Sequence, residues 1–334
     1  MSRRSAGGTN SVYEDEHAGY DRPARRTRPR TKDRPNYSAL DIARVVTIDR
    51  GRYRCVIEGR PVSATKARQL GRKSVIVGDL VRLDGDTSGD TGTLSRIVEV
   101  VERTTVLRRT ADDDDPFERP IVANADQLVI VTALADPPPR TGMIDRILIA
   151  AFDAGIEPLL CLTKSDLDDP SELIAMYEPL DVPIVVTRIG AELAELRSYL
   201  DDHVSVLIGH SGVGKSTLVN ALIPGAGRST GIVNDVTGRG RHTSTSVIAL
   251  ELPGGSGWVI DTPGIRSFGL SHVDPKNVLA AFSDLAELSD DCPRGCTHAA
   301  SEPECALDVA VANGKLAPER LASFRRIQVA ERVN

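Results

Sequence analysis

Hydrophobic positions come in two textures along this chain. From about residue 40 to 101 they fall in short runs: Val45, Val46 and Ile48, then residues 53–57, 75–83 and 94–101. Asp49-Arg50-Gly51, Glu58-Gly59-Arg60-Pro61 and Asp84-Gly85-Asp86 punctuate them. Short strands divided by Gly and Asp predict a small barrel or sandwich, with an oligonucleotide-binding (OB) barrel one candidate. An acidic, Pro-terminated break at 112–116 reads as a linker or surface loop.

The texture then changes. Residues 128–134 form a continuous apolar run, as expected of a strand covered on both faces. Ile144, Ile147, Leu148 and Ala151 follow at helical spacing, with Gly155 as a stop. Further strands are predicted at 158–162, 182–187, 204–208 and 258–260. Strands alternating with helices predict a parallel, doubly wound sheet, whose ligands bind beyond the carboxyl ends of the strands. After Gly269 strand character is lost: a Cys/His cluster precedes two predicted helices, 306–312 and 318–331, separated by Asn313-Gly314. The stretch 271–311 has few apolar residues, so a bound metal would help it to fold.

Composition narrows the class. A chain of 334 residues with 40% hydrophobic and 26% charged positions suits a soluble, multidomain protein. No apolar run approaches the ~20 residues needed to span a bilayer, and the N-terminus lacks the apolar core of a secretory signal. A cytoplasmic protein with no membrane partner is expected, and a monomer. The net charge of −6 argues against a uniformly basic, DNA-coating surface, so no DNA partner is expected. Residues 1–37 are nevertheless Arg-rich among Gly, Ser, Thr and Pro, a composition that predicts a disordered basic tail. Such arms often hold RNA, although simple solvation is as good an account. Cys55 and Cys161 stand alone as buried thiols.

Three motifs fall at predicted strand ends. Gly209-His210-Ser211-Gly212-Val213-Gly214-Lys215-Ser216, followed by Thr217, matches the phosphate-binding loop at every fixed position, between an apolar strand and a helix. Its glycines let successive backbone N–H groups face a phosphate. Lys215 would reach the β/γ-phosphates, and the Ser216 hydroxyl would ligate Mg²⁺. Thr163-Lys164-Ser165-Asp166 resembles the guanine motif, with Thr where Asn is usual. The Asp166 carboxylate can accept from guanine N1–H and the exocyclic amine, a donor pair adenine lacks, while Lys164 lays its stem along the base. The shorter Thr163 gives up the amide's reach. Asp261-Thr262-Pro263-Gly264 supplies the third element: Asp261 would hold a Mg²⁺-bound water and the Gly264 N–H would sense the γ-phosphate. The three together predict GTP and GDP as ligands. Their order is permuted, for the guanine motif precedes both phosphate elements.

Between the phosphate loop and DTPG lies Gly238-Arg239-Gly240-Arg241-His242-Thr243-Ser244-Thr245, where a switch segment belongs. One hydroxyl of Thr243, Ser244 or Thr245 completes the Mg²⁺ shell. Ile265 stands where many GTPases carry a water-orienting Gln, so His242 is the candidate for positioning the attacking water, a phosphate or RNA contact being the alternative. Finally, Cys292, Cys296, His298 and Cys305 offer three thiolates and one imidazole, the complement of a closed structural zinc site.

The combination of permuted TKSD, GHSGVGKST and DTPG motifs, a GRGRHT switch and a C-x-H zinc cluster resembles the ribosome small-subunit-dependent GTPase A family (RsgA/YjeQ) from about residue 39 onward. The resemblance implies an OB barrel at 38–106, a circularly permuted GTPase domain at 112–270 and a helical zinc-binding domain at 271–334. It also implies slow GTP hydrolysis stimulated by the small ribosomal subunit, contact with 30S and 16S rRNA, and a role in late 30S maturation. The family's switch histidine matches His242. The cysteine spacing here is shifted by one residue on each side of C-x-H, and the Ser-Ala element that backs guanine has no clear counterpart around Thr187-Arg188-Ile189-Gly190. Two other readings are an RNA-binding module with structural nucleotide and zinc, and a P-loop kinase or ATPase, which Asp166 disfavours.

Overall fold

The computed structural model describes residues 36–71, 75–110, 117–228, 246–265, 268–270 and 273–332. The tail expected at 1–37 lies almost wholly outside the described residues, as does the break at 112–116.

The first strands, β1 (Ile42–Asp49), β2 (Arg52–Ile57), β3 (Arg60–Lys66), β4 (Leu80–Asp84) and β5 (Ser95–Val100), close into a barrel of order β1-β2-β3-β5-β4. The β3/β5 pair is parallel and the other pairs antiparallel, which fits an OB barrel. Arg50-Gly51 and Glu58-Gly59 have positive φ at both central positions, the two-residue turn whose twist matches a hairpin. Alternate residues Val45, Tyr53, Cys55, Val62, Ala64, Val81 and Ile97 fill the interior.

The barrel corrects two expectations. Glu58 to Pro61 is not all turn. Arg60 and Pro61 begin β3, because Pro61 lies at the strand's start and Val62 and Ala64 still point inward. Nor is 75–83 one strand. Gly78 (φ +91) and Asp79 bend the chain before β4, and a Cβ at Gly78 would meet the Ala123 carbonyl oxygen at 2.1 Å. Buried Asp79 accepts from Ile76 N–H (2.8 Å) and from Arg103 through both oxygens (2.6 and 2.9 Å). A run that looks like strand is thus the corner where the barrel docks on residues 103 and 123.

A ribbon of β6 (Val106–Arg109) and β7 (Arg119–Ala123) leads to the second layer. There β8 (Gln127–Ala133), α1 (Thr141–Asp153), β9 (Glu157–Thr163), α2 (Ser171–Tyr177), β10 (Ile184–Val186), α3 (Ala194–Leu200), β11 (Val204–Ile208), α4 (Lys215–Leu222), β12 (Ile248–Glu251) and β13 (Trp258–Asp261) follow in turn. The strands form one sheet of order β10-β9-β8-β11-β13-β12, parallel except for β12. Every residue of β8 is buried, which explains its unbroken apolar run.

Four helices complete the described chain: α5 (Pro275–Ala280), α6 (Ser283–Ser289), α7 (Ala306–Ala312) and α8 (Pro318–Arg332). The last two sit where the spacing predicts. The first two were hidden by the sparse apolar content of 271–311. Their few apolar residues are well placed, since Val278, Phe282 and Leu285 are buried in the same core as Ile147 and Leu148 of α1. Phe282 meets Phe152 and Phe324 edge-on at centroid distances of 4.7 and 5.4 Å. A metal is therefore not the sole source of order in this region. At the end of α7, Gly314 (φ 69) lets Gly314 and Lys315 N–H cap the Val311 and Ala310 carbonyls.

Candidate nucleotide-binding site

The three motifs leave the sheet at one end. TKSD begins with the last residue of β9, the phosphate loop follows β11, and DTPG begins at the end of β13, with β8 and β13 flanking β11. Strand neighbours, and not chain order, bring them together.

The phosphate loop is shaped by close backbone packing. A Cβ at Gly209 would lie 2.1 Å from the Val131 carbonyl oxygen, and Gly212 and Gly214 have φ of +85° and +95°. Gly214 caps α4, and Val213 is buried beneath the loop. His210 Nδ1 lies 2.8 Å from the Ser211 carbonyl oxygen, while Ser216 and Thr217 are half-buried on the first turn of α4. Lys215 is buried, and its Nζ donates to the Gly209 (2.6 Å) and His210 (3.0 Å) carbonyls. Burial pushes this ammonium down to about 8, opposed by the nearby Asp261 charge.

DTPG rests directly on that loop. Ile265 N–H donates to Gly209 O (3.2 Å), and a Cβ at Gly264 would press on Ser211 Cα at 3.0 Å. Thr262 Oγ1 donates to Leu207 O at 2.7 Å. Asp261 is fully buried. Its Oδ2 accepts from Arg228 Nε at 2.7 Å, and its Oδ1 has no protein partner among the described residues.

TKSD is tied to the phosphate loop by its first residue. The buried Thr163 hydroxyl lies 2.6 Å from the Val213 carbonyl oxygen and 3.2 Å from that of Thr132. The shorter side chain expected to lose reach thus spans the two loops. Lys164 adopts φ +60° and donates through Nζ to the Asp136 carbonyl, Ser165 is half-buried, and Asp166 is exposed in the loop. Ser165 N–H donates to Thr187 O (3.2 Å), which sets the end of β10 beside this loop. Thr187 is buried and its hydroxyl is unpartnered among the described residues. Sequence reasoning left Thr187 unassigned and passed over Arg228. For Thr187 the signal is its place as the last residue of the strand predicted at 182–187, at the ligand end of the sheet. Arg228 carried none.

His242, Thr243, Ser244 and Thr245 lie outside the described residues.

The four cluster side chains meet in the C-terminal region. The ligand atoms of Cys292, Cys296, His298 and Cys305 all lie within 4.8 Å of one another. His298 Nδ1 is 3.6 Å from two of the sulfurs and 3.8 Å from the third. The backbone supports this, with His298 at φ +57° and Ala306 N–H donating to Cys292 Sγ (3.3 Å). Burial lowers the His298 pKa, with Arg325 adding to the effect, so the ring stays neutral and able to bind a metal. Three soft thiols and an imidazole at such separations fit one tetrahedral zinc ion with no open position.

A sequence model of the RsgA GTPase family matches residues 100–271, more than half of the chain. The small ribosomal subunit biogenesis GTPase RsgA of Pseudomonas aeruginosa (strain LESB58) is 46% identical over 218 residues. That match covers 63% of this chain, and the chain spans 63% of that relative's length. Among solved structures, YjeQ from Thermotoga maritima is similar with a TM-score of 0.65 and 27% identity, covering 88% of this chain and 99% of that one. YloQ, described as a circularly permuted GTPase, shares the fold with a TM-score of 0.62 and 24% identity, covering 90% and 98%.

Proposed function

The chain belongs to the RsgA GTPase family, and from that premise we propose that it binds GTP and hydrolyses it to GDP and phosphate in small-subunit ribosome biogenesis. The observation that carries the reading is the hydrogen bond from Thr163 to Val213, which joins the base-reading loop to the phosphate-binding loop. Asp166 would then accept from guanine N1–H and its amine, Lys164 would flank the base, and the backbone after Thr187 would back it. Residues Gly209 to Thr217 would wrap the phosphates. Lys215 would exchange its two carbonyl partners for phosphate oxygens, and Gly264 N–H would meet the γ-phosphate.

Magnesium fits the residues present, because Asp261 keeps a buried carboxylate oxygen that has no partner among the described residues. Ser216 would hold the ion directly and Asp261 through a bound water, joined by Thr243, Ser244 or Thr245. When bound it neutralises charge on the transferring phosphoryl group. His242 would orient the attacking water. Zinc would be structural, held by Cys292, Cys296, His298 and Cys305.

The relatives' names point to the small ribosomal subunit as partner. We take the 30S particle and its 16S rRNA as the surface that stimulates turnover, with the chain acting as a cytoplasmic monomer in late maturation. Among the described residues no helix is long and apolar enough to cross a membrane. The test is GTP turnover with and without purified 30S subunits. A slow basal rate that rises on adding subunits is expected. Tight GTP binding with no turnover in either condition would favour an RNA-binding module with structural nucleotide.

A further inference from the structure

Arg228 has a role that no motif assigns. Its guanidinium reaches Asp261 Oδ2 through two nitrogens, Nε at 2.7 Å and a terminal nitrogen at 2.6 Å. The pair is nearly closed to solvent, with side-chain exposures of 13% for Arg228 and 1% for Asp261. Both donors fall on one oxygen, and Oδ1 is left buried without a partner among the described residues. The backbone of Arg228 is clamped to α4, since Asn220 Nδ2 donates to Arg228 O (2.8 Å) and Arg228 N–H to Asn220 Oδ1 (2.9 Å). From this anchor the side chain also reaches Ser246 O at 3.4 Å. Residues 228 and 246, on either side of the stretch 229–245, therefore meet at the carboxylate that begins DTPG.

We infer that Arg228 and a divalent cation compete for Asp261, so that Arg228 is an exchangeable internal counter-ion at the metal-holding carboxylate. This rests on the guanine-nucleotide reading of the site. Asp261 carries one negative charge, and with Arg228 on Oδ2 and the Lys215 ammonium nearby that charge is already matched. A guanidinium cannot shed its proton in a protein, so the Asp261 charge is uncompensated by this pair only when Arg228 withdraws. A hydrated divalent ion needs an oxygen ligand of that kind, and in a buried setting two cations beside one carboxylate repel strongly. Oδ1 marks where the ion's hydration shell would first engage, and Arg228 is what it must displace. The device couples metal occupancy to the contact between Arg228 and Ser246. Arg228 acts here through Asp261 as a positioning residue.

The experiment compares GDP affinity by calorimetry in EDTA and in Mg²⁺ for wild type, Arg228→Gln and Arg228→Lys. Removing the competing charge should raise the Mg²⁺-induced gain in GDP affinity by at least about fivefold in Arg228→Gln, the scale of one close charge in a partly screened site. Arg228→Lys keeps the charge and should stay near wild type. In a parallel melt without nucleotide, Mg²⁺ alone should stabilise Arg228→Gln more than wild type. An unchanged or smaller Mg²⁺ gain in Arg228→Gln, or an equal rise in Arg228→Lys, would overturn the competition. Failure of the wild-type protein to bind GDP in Mg²⁺ would instead defeat the guanine reading, so the two failures are distinct.

Discussion

The phosphate loop and the C-terminal helices are held in place by opposite means. The phosphate loop is shaped by backbone against backbone, with Gly209 under the Val131 carbonyl, Gly264 against Ser211 and Ile265 N–H on Gly209 O, and its side-chain bonds from Thr163 and Lys215 end on its own carbonyls. The C-terminal helices are pinned by arginines of α8. Arg326 pairs with buried Asp145 of α1 and lies 4.7 Å over the Tyr177 ring. Arg320 donates to Pro179 O (2.8 Å) and to Asp284, and Arg325 holds His298 O (2.8 Å) and both oxygens of Asp308. A backbone-built site needs residue types that only a few amino acids can supply. A side-chain-built interface can use any long cation that happens to reach.

The contrast also bears on mechanics. With α8 fastened to α1 and to the turn after α2, and Phe282 wedged between Phe152 and Phe324, the C-terminal helices share a core with the sheet layer. A nucleotide-driven shift relayed directly through DTPG would have to move that shared core as well.

The two regions should therefore fail separately. The largest effect belongs to Arg326→Ala, which strands Asp145 without its cation. Burial already raises the Asp145 pKa even with Arg326 in place. Losing a buried partner costs about 3–5 kcal/mol of stability, to be read by urea denaturation, while the GTP dissociation constant of the folded variant stays close to wild type. A comparable loss of GTP affinity would merge the two regions into one unit.

Next is Lys215→Ala, which removes the cation proposed to face the phosphates. GTP affinity should drop by roughly a hundredfold, or about 2.7 kcal/mol, with zinc content unchanged by metal analysis. Retained affinity would contradict the assignment of the loop.

The smallest effect is in pH. Lys215 is held down to about 8 by burial, and phosphate oxygens favour its charged form, so binding raises its pKa and takes up a proton. Affinity is then fully present below about 8 and falls as pH rises from there to the bound-state value, by at most about tenfold per unit. Calorimetry in buffers of differing ionisation enthalpy should register the uptake, and it should vanish in Lys215→Ala.

Legibility in the sequence followed the same line. The P-loop, TKSD and DTPG motifs could be read because glycines, a lysine and carboxylates at strand ends in these spacings have few other uses. The cysteine cluster could be read for the same reason. What could not be read was set by tertiary contacts. Pro61 disguised β3, Gly78 and Asp79 broke an apparent strand to dock the barrel, and α5 and α6 carry only the apolar residues their burial requires. Arg228 was invisible because nothing local marks an arginine whose partner lies at residue 261. The replacement of the usual Asn by Thr163 read as a loss, yet its hydroxyl bridges to Val213, a contact that depends on β9 and β11 both flanking β8.

In the function proposed here, guanine selectivity turns on Asp166, held in a loop that Thr163 fastens to the phosphate loop. Side-by-side titration of GTP, xanthosine triphosphate and ATP into wild type and Asp166→Asn measures this directly. Wild type should prefer GTP strongly over both others, and Asp166→Asn should shift its preference toward xanthosine triphosphate. Equal binding of ATP and GTP by wild type, or an unaltered preference in Asp166→Asn, would contradict it.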